Sequence, residues 1–140
     1  MKRVLIADDE PIERMIVSRT IEKYFSEELT VVSAANGREA VEQFFAGDCQ
    51  IALLDIEMPG MNGLEAAEQI RERDKNCSII FLTAFDEFNY AKRAIAVRAM
   101  EYLLKPVVDQ ELEDCSSFKR TLKDSGIPGS GMLSPLMIAS

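Results

Sequence analysis

A chain of 140 residues, 47% hydrophobic and 29% charged, has the length and balance of one folded globular domain, which excludes disordered, fibrous and multidomain architectures. Its 16 Lys plus Arg against 24 Asp plus Glu give a formal charge of −8, which repels phosphate backbones and argues against direct nucleic-acid binding. Histidine is absent, so Ser–His and Cys–His nucleophilic machinery and every His-ligated metal site are excluded.

Val4 to Ala7 form an unbroken apolar run, the pattern of a strand buried on both faces. Pro11 suits the first turn of a helix, and Ile12, Met15, Ile16, Ile21, Tyr24 and Phe25 are expected to form its apolar side. Leu29 to Ala35 is strand-like. Asn36-Gly37 in isolation is a hairpin turn, but Ala40, Val41, Phe44 and Phe45 follow at helical spacing. Asn36 with Glu39 is therefore taken as a helix start and Gly47 as its stop. Ile51 to Leu54 is a third strand. The loop Met58-Pro59-Gly60-Met61-Asn62-Gly63 leads into a helix from about Leu64 to Arg73, with Leu64, Ala67 and Ile70 on one side. Ser78 to Leu82 is a fourth strand, and Asp86 can cap a helix bearing Phe88, Ala91, Ala94 and Ile95. Glu101 to Leu104 is a short fifth strand. Asp109 can cap a last helix with Leu112, Cys115, Phe118 and Leu122 inward. From Ser125 onward sixteen residues carry no charge and nine are Gly, Pro or Ser, so a domain over residues 1–124 is expected to end in a flexible tail or linker over 125–140.

Cys49, Cys77 and Cys115 form no CxxC pair, and an odd count fits small buried thiols in a reducing cytoplasm better than a disulfide framework. Met1-Lys2-Arg3 resembles the start of a signal peptide, but Asp8-Asp9-Glu10 ends the apolar run too soon for one. No apolar run reaches the length of a membrane span, so no membrane partner is expected and the location is read as cytoplasmic.

Five strands alternating with five helices specify an α/β fold, a doubly wound five-stranded parallel sheet of the flavodoxin-like kind with helices on both faces. Right-handed crossovers place every strand-to-helix loop at one edge, and ligands bind there, near the point where strand order reverses. Strand 1 delivers Asp8 and Asp9 to that edge, strand 3 Asp55, strand 4 Thr83 and strand 5 Lys105. Each has a plain alternative: an acidic pair serving a helix dipole, a strand-end carboxylate bonding its loop, a cap, a solvated charge. Four strand ends converging on one pocket are hard to explain as packing. Two unit charges 4 Å apart repel by about 4 kcal/mol at an effective dielectric of 20. A cluster of three carboxylates must therefore hold protons or bind a cation. Oxygen ligands in an open pocket suit Mg²⁺. Mg²⁺, a lysine and a hydroxyl around one carboxylate make a phosphoryl-transfer site with that carboxylate as nucleophile.

Four segments carry a family resemblance: Ile6-Ala7-Asp8-Asp9-Glu10, Leu54-Asp55-Ile56-Glu57-Met58-Pro59-Gly60-Met61-Asn62-Gly63-Leu64-Glu65, Leu82-Thr83-Ala84 and Tyr102-Leu103-Leu104-Lys105-Pro106. In order and spacing, the chain from about Lys2 to Lys123 resembles the receiver domains of bacterial two-component response regulators. The segment Ala84-Phe85-Asp86-Glu87-Phe88-Asn89-Tyr90-Ala91 is similar, more narrowly, to receivers attached to AraC-type DNA-binding domains. The resemblance implies that Asp55 accepts a phosphoryl group. It implies that Asp9 ligates Mg²⁺ directly with Asp8 assisting, and that Asp55 and the Glu57 backbone carbonyl complete the protein ligands. Thr83 would bond a phosphoryl oxygen and Lys105 would make a charge-assisted contact to it, aimed by a cis Lys105-Pro106 bond. Tyr102 would be the aromatic switch that turns inward as Thr83 moves; its plain alternative is a half-buried strand aromatic. The departures are Arg98, where many receivers carry Gly, and Glu57 with Phe85, which stand where side chains influence water attack on the acyl phosphate.

By this resemblance the chain is a phosphoacceptor that promotes its own phosphorylation and dephosphorylation, not a turnover enzyme. A sensor histidine kinase would be the donor, and phosphorylation would remodel the surface of helix 4, strand 5 and helix 5, altering homodimerisation or contact with an effector. No helix-turn-helix follows Lys123, so control of transcription would pass through a DNA-binding output domain absent from this chain. The alternatives are a stand-alone receiver acting through protein contacts, a degenerate receiver, a Mg²⁺-dependent aspartyl-nucleophile phosphatase and a flavodoxin-like FMN carrier. The phosphatase would place its two carboxylates two residues apart after the first strand, whereas Asp8 and Asp9 are adjacent. The FMN carrier needs a hydroxyl- and glycine-rich loop where this chain has Asp8-Asp9-Glu10-Pro11.

Overall fold

In the computed structural model, which describes residues 2–85 and 87–105, strands and helices alternate along the chain. They are β1 (Lys2–Ala7), α1 (Pro11–Phe25), β2 (Leu29–Ala34), α2 (Gly37–Ala46), β3 (Ile51–Leu54), α3 (Gly63–Arg73), β4 (Ser78–Thr83), α4 (Phe88–Ala96) and β5 (Glu101–Leu104). The strands form one parallel sheet in the order β2-β1-β3-β4-β5. Strand order reverses between β1 and β3, where Ala7 lies beside Leu54. The residues that follow these two strands therefore start side by side.

The pleat sends alternate side chains into two cores. Leu5, Leu54 and Phe81 pack with Phe44 of α2 and Leu64 and Ile70 of α3, while Val4, Ile6, Leu53 and Ile80 pack with Val17, Ile21 and Phe25 of α1. Burial on both faces is why β1, β3 and β4 read as continuous apolar runs. The expected sheet and four of the expected helices are present among the described residues. The last helix begun by Asp109, the cap from Asp86, Cys115, the Lys105-Pro106 bond and the tail 125–140 lie outside them. No helix among the described residues is long and apolar enough to cross a membrane.

Several local expectations need correction. Helix α1 buries Val17, Thr20, Ile21 and Phe25, whereas Ile12, Met15 and Ile16 are exposed. The sequence shows two apolar stripes on this helix, and the sheet takes the one running through Val17. Phe88, expected on the packed side of α4, is 81% exposed, and Ala94 is the buried residue there. Helix α3 begins at Gly63 because Asn62 and Glu65 form a reciprocal capping box, with bonds of 2.9 and 3.1 Å. The expected Asn36 cap is present, its side chain accepting from the Glu39 N–H at 2.8 Å. Gly47 ends α2, but the left-handed residue is Asp48, at φ 50°. Arg98 does take a positive φ, 58°, and ends α4 in a Schellman turn: Ala99 N–H bonds Ala94 O at 3.0 Å and Arg98 N–H bonds Ile95 O at 2.9 Å.

Buried Arg71 closes the floor of the sheet. Its Nε donates to Val97 O and its Nη1 to Cys77 O, both at 2.8 Å, and its Nη2 reaches Arg98 O at 3.4 Å. Burial lowers its pKa. The guanidinium meets the carbonyls that helix α4 leaves over at its C-terminus, where a cation is favoured. Arg71→Met should strand these buried acceptors and cost about 2–4 kcal/mol. Urea unfolding checks this; a loss below about 0.5 kcal/mol would show that water replaces the guanidinium.

Candidate functional site

The site is assembled where β1 and β3 stop. After Ala7, Asp8 folds its side chain back to accept the Glu10 N–H at 2.9 Å, and Pro11 then opens α1. Asp8 N–H bonds Ala34 O at 3.1 Å and Asp55 N–H bonds Ala7 O at 2.9 Å, so both residues continue the sheet's own hydrogen bonding. Asp8 and Asp55 are buried and Asp9 is exposed. The start of α3 presses on the loop behind Asp55: a Cβ at Gly63 would lie 2.0 Å from the Asp55 carbonyl oxygen. Glycine alone permits that approach, and Gly63 N–H uses it to bond Ile56 O at 2.9 Å.

Carboxylate oxygens of Asp8, Asp9 and Asp55 lie within 4.8 Å of one another. Lys105, just after β5, answers that charge. Its Nζ is 2.9 Å from Asp8 Oδ2 and 3.4 Å from Asp55 Oδ2, and it also donates to Glu13 of α1. Burial pushes the Asp55 pKa up to about 6; Lys105 pulls it down, and Asp8 and Asp9 add to the rise. For Lys105 burial acts downward, but its bonds to Glu13 and Asp8 and the charges of Asp55 and Asp8 outweigh that, so the ammonium holds its proton above the ordinary lysine range. Against one ammonium stand the carboxylates of Asp8, Asp9, Asp55 and Glu13. The donors are all oxygen, and Asp9 opens the cluster to solvent. That set fits a hard divalent cation that keeps part of its water shell.

The other predicted residues lie at the end of β4, within β5 and in the loop after β3. Thr83 ends β4 fully buried; its Oγ1 accepts the Phe85 N–H at 3.2 Å and its carbonyl accepts the Lys105 N–H at 2.7 Å. Tyr102 is half-buried against the core beside Phe81, and its phenol donates to Phe85 O at 2.9 Å. Glu57 is exposed, and its carboxylate turns to α4, where it accepts the Tyr90 hydroxyl at 2.5 Å. That bond raises the Tyr90 pKa to about 12. The Glu57 side chain is not one of the clustered carboxylates.

Sequence reasoning missed three participants. Glu13 lies four residues before Val17, on the stripe that α1 buries, and that periodicity was the available signal. Arg14, whose Nη1 donates to Asp8 O at 2.5 Å, and Tyr90, which pairs with Glu57 across 33 positions, had no comparable signal.

Residues 4–116 match the response regulator receiver domain family, and the chain belongs to it. It is 40% identical over 111 residues to the positive alginate biosynthesis regulatory protein of Pseudomonas aeruginosa, an alignment covering 79% of this chain and 44% of that protein. It is 35% identical over 112 residues to the uncharacterized transcriptional regulatory protein YesN of Bacillus subtilis, covering 80% of this chain and 30% of that one. The chain thus spans less than half of these two relatives. Among solved structures, the response regulator TrrA of Thermotoga maritima in complex with Mg²⁺-BeF superposes with a TM-score of 0.71 at 38% identity, covering 87% of this chain and 99% of that one. The protein is therefore a response regulator receiver domain of two-component signalling.

The raised pKa of Asp55 has a consequence for stability. A carboxyl titrating near 4 in the unfolded chain and near 6 in the folded one binds its proton more tightly when folded. Without a divalent cation, the Asp55 contribution should favour folding below pH 4, weaken between pH 4 and 6, and stay weak above. Asp55→Asn should abolish that slope, so the metal-free variant gains stability over the wild type as pH rises through this window. Urea unfolding of both from pH 4 to 8 tests this; a constant difference would contradict it.

Proposed function

We propose that Asp55 accepts a phosphoryl group from a sensor histidine kinase in a Mg²⁺-dependent reaction, and that the resulting acyl phosphate switches the α4–β5 face. The observation that carries this reading is the meeting of Asp8, Asp9, Asp55 and Lys105 at the point where strand order reverses. Asp9, Asp8, Asp55 and the Glu57 backbone carbonyl would hold Mg²⁺, which when bound supplies charge neutralisation at the phosphoryl oxygens.

An Asp55 carboxylate oxygen attacks phosphorus as the bond from phosphorus to the donor histidine nitrogen breaks, and the imidazole leaves. Lys105 Nζ, already 3.4 Å from Asp55 Oδ2, is placed to bond a phosphoryl oxygen. Thr83 Oγ1 accepts from Phe85 N–H, and its own proton is the donor it brings to the phosphoryl group. Phe85 is gripped on both sides, its N–H by Thr83 and its carbonyl by the Tyr102 phenol. When Thr83 turns to the phosphoryl oxygen it releases one grip, and Tyr102 is the next link outward. This supports its assignment as the switch. Phe85 after β4, Phe88 at the start of α4 and Leu104 at the end of β5 are exposed, which supports a homodimer or effector contact through α4, β5 and the last helix expected from the sequence.

The output is read as transcription, through an AraC-type DNA-binding domain joined beyond a receiver unit of residues 1–124 by the linker 125–140. The name of YesN, a transcriptional regulatory protein, and the share of both relatives left uncovered support this. The chain acts in the cytoplasm as a phosphoacceptor and does not turn over a small substrate.

Acetyl phosphate or a phosphorylated kinase with Mg²⁺ should label the wild type and leave Asp55→Asn unlabelled. Asp9→Asn should need at least about tenfold more Mg²⁺ for the same rate, since one charged ligand is lost. Label retained by Asp55→Asn, or sustained hydrolysis of p-nitrophenyl phosphate, would overturn the reading.

A further inference from the structure

The Lys105 ammonium has three protons to donate and faces three carboxylates: Asp8, Asp55 and Glu13. Asp55 is the most distant of them, at 3.4 Å against 2.9 Å for Asp8, and Glu13 is nearer still. Glu13 stands apart from the other two. It comes from the first turn of α1 rather than a strand end, and it is outside the carboxylate group that can hold a cation. Its place is set by α1, which packs Val17 and Ile21 of the same stripe onto the sheet. A cation ligated by Asp8 would draw on that carboxylate's lone pairs and leave Glu13 as the principal anchor of Lys105.

We propose that Glu13 is a positioning residue: it holds Lys105 back from Asp55, and the phosphoryl group must compete with it for the ammonium. This rests on the reading of Asp55 as phosphoacceptor. The new element is an opposing carboxylate that sets how readily the phosphorylated arrangement forms. A glutamine keeps the length and shape of the side chain while its neutral oxygen makes a weaker bond to the ammonium.

With saturating Mg²⁺, Glu13→Gln should bind beryllofluoride about fivefold tighter than the wild type, the equivalent of one ordinary hydrogen bond. Glu13→Asp, which keeps the charge on a shorter arm, should fall between them. The decisive comparison is a double-mutant cycle. In a Lys105→Gln background the gain from Glu13→Gln should vanish, because no ammonium remains to compete for. An equal gain in that background would assign the effect to the general loss of negative charge and overturn the proposal, as would no gain in the wild type. In the metal-free protein, the Lys105 side-chain resonances should move in Glu13→Gln, and unmoved resonances would also overturn it. A wild type that takes neither beryllofluoride nor label brings down the reading of Asp55 and this proposal with it. Binding by the wild type with no change in Glu13→Gln brings down the role of Glu13 alone.

Discussion

Carboxylate oxygens of three aspartates held within 4.8 Å of one another in a cleft that buries two of those residues need a countercharge. Lys105 supplies it from the other side of the chain's connectivity, 97 positions from Asp8. Much of the local architecture follows from that demand. β5 must run beside β4 so that the chain returns to the same edge, and the backbone bond from Lys105 N–H to Thr83 O fixes how far the lysine emerges. One ammonium does not balance the three carboxylates it faces, with Asp9 beside them. Burial above all, helped by the charges of Asp8 and Asp9 and opposed by Lys105, keeps the Asp55 pKa well above that of a surface aspartate while Lys105 remains charged.

The sheet and the cluster were legible because both follow from strong, short-range rules. Continuous apolar runs at Val4 to Ala7 and Ile51 to Leu54 admit few partners other than doubly covered parallel strands. Once the strands are parallel, the residues following them share an edge whatever their separation in sequence. Asp8, Asp9, Asp55, Thr83 and Lys105 were found in this way, and their positions match the expectation; the roles given to them are proposals.

What was not legible depends on orientation about a helix or on a single side-chain torsion. Ile12, Met15 and Ile16 look like a buried stripe, but turning α1 by about half a revolution gives another, and the choice is made by the sheet. Spacing alone points Phe88 inward, yet the buried residue of α4 is Ala94. Glu13 and Tyr90 were missed because carboxylate and phenol choose partners in space; nothing in a linear pattern pairs Tyr90 with Glu57.

The floor and the rim of helix α4 are held very differently. Below, buried Arg71 joins carbonyls from two stretches of backbone, Cys77 before β4 and Val97-Arg98 before β5. Above, the helix meets the loop after Asp55 through the half-buried Tyr90, whose hydroxyl bonds the exposed Glu57 carboxylate. A rod pinned firmly at its foot and lightly at its head leans rather than slides. Any rearrangement begun at Thr83 would therefore reach the exterior as an angular swing, largest at Phe88 and nearly nil at Val97.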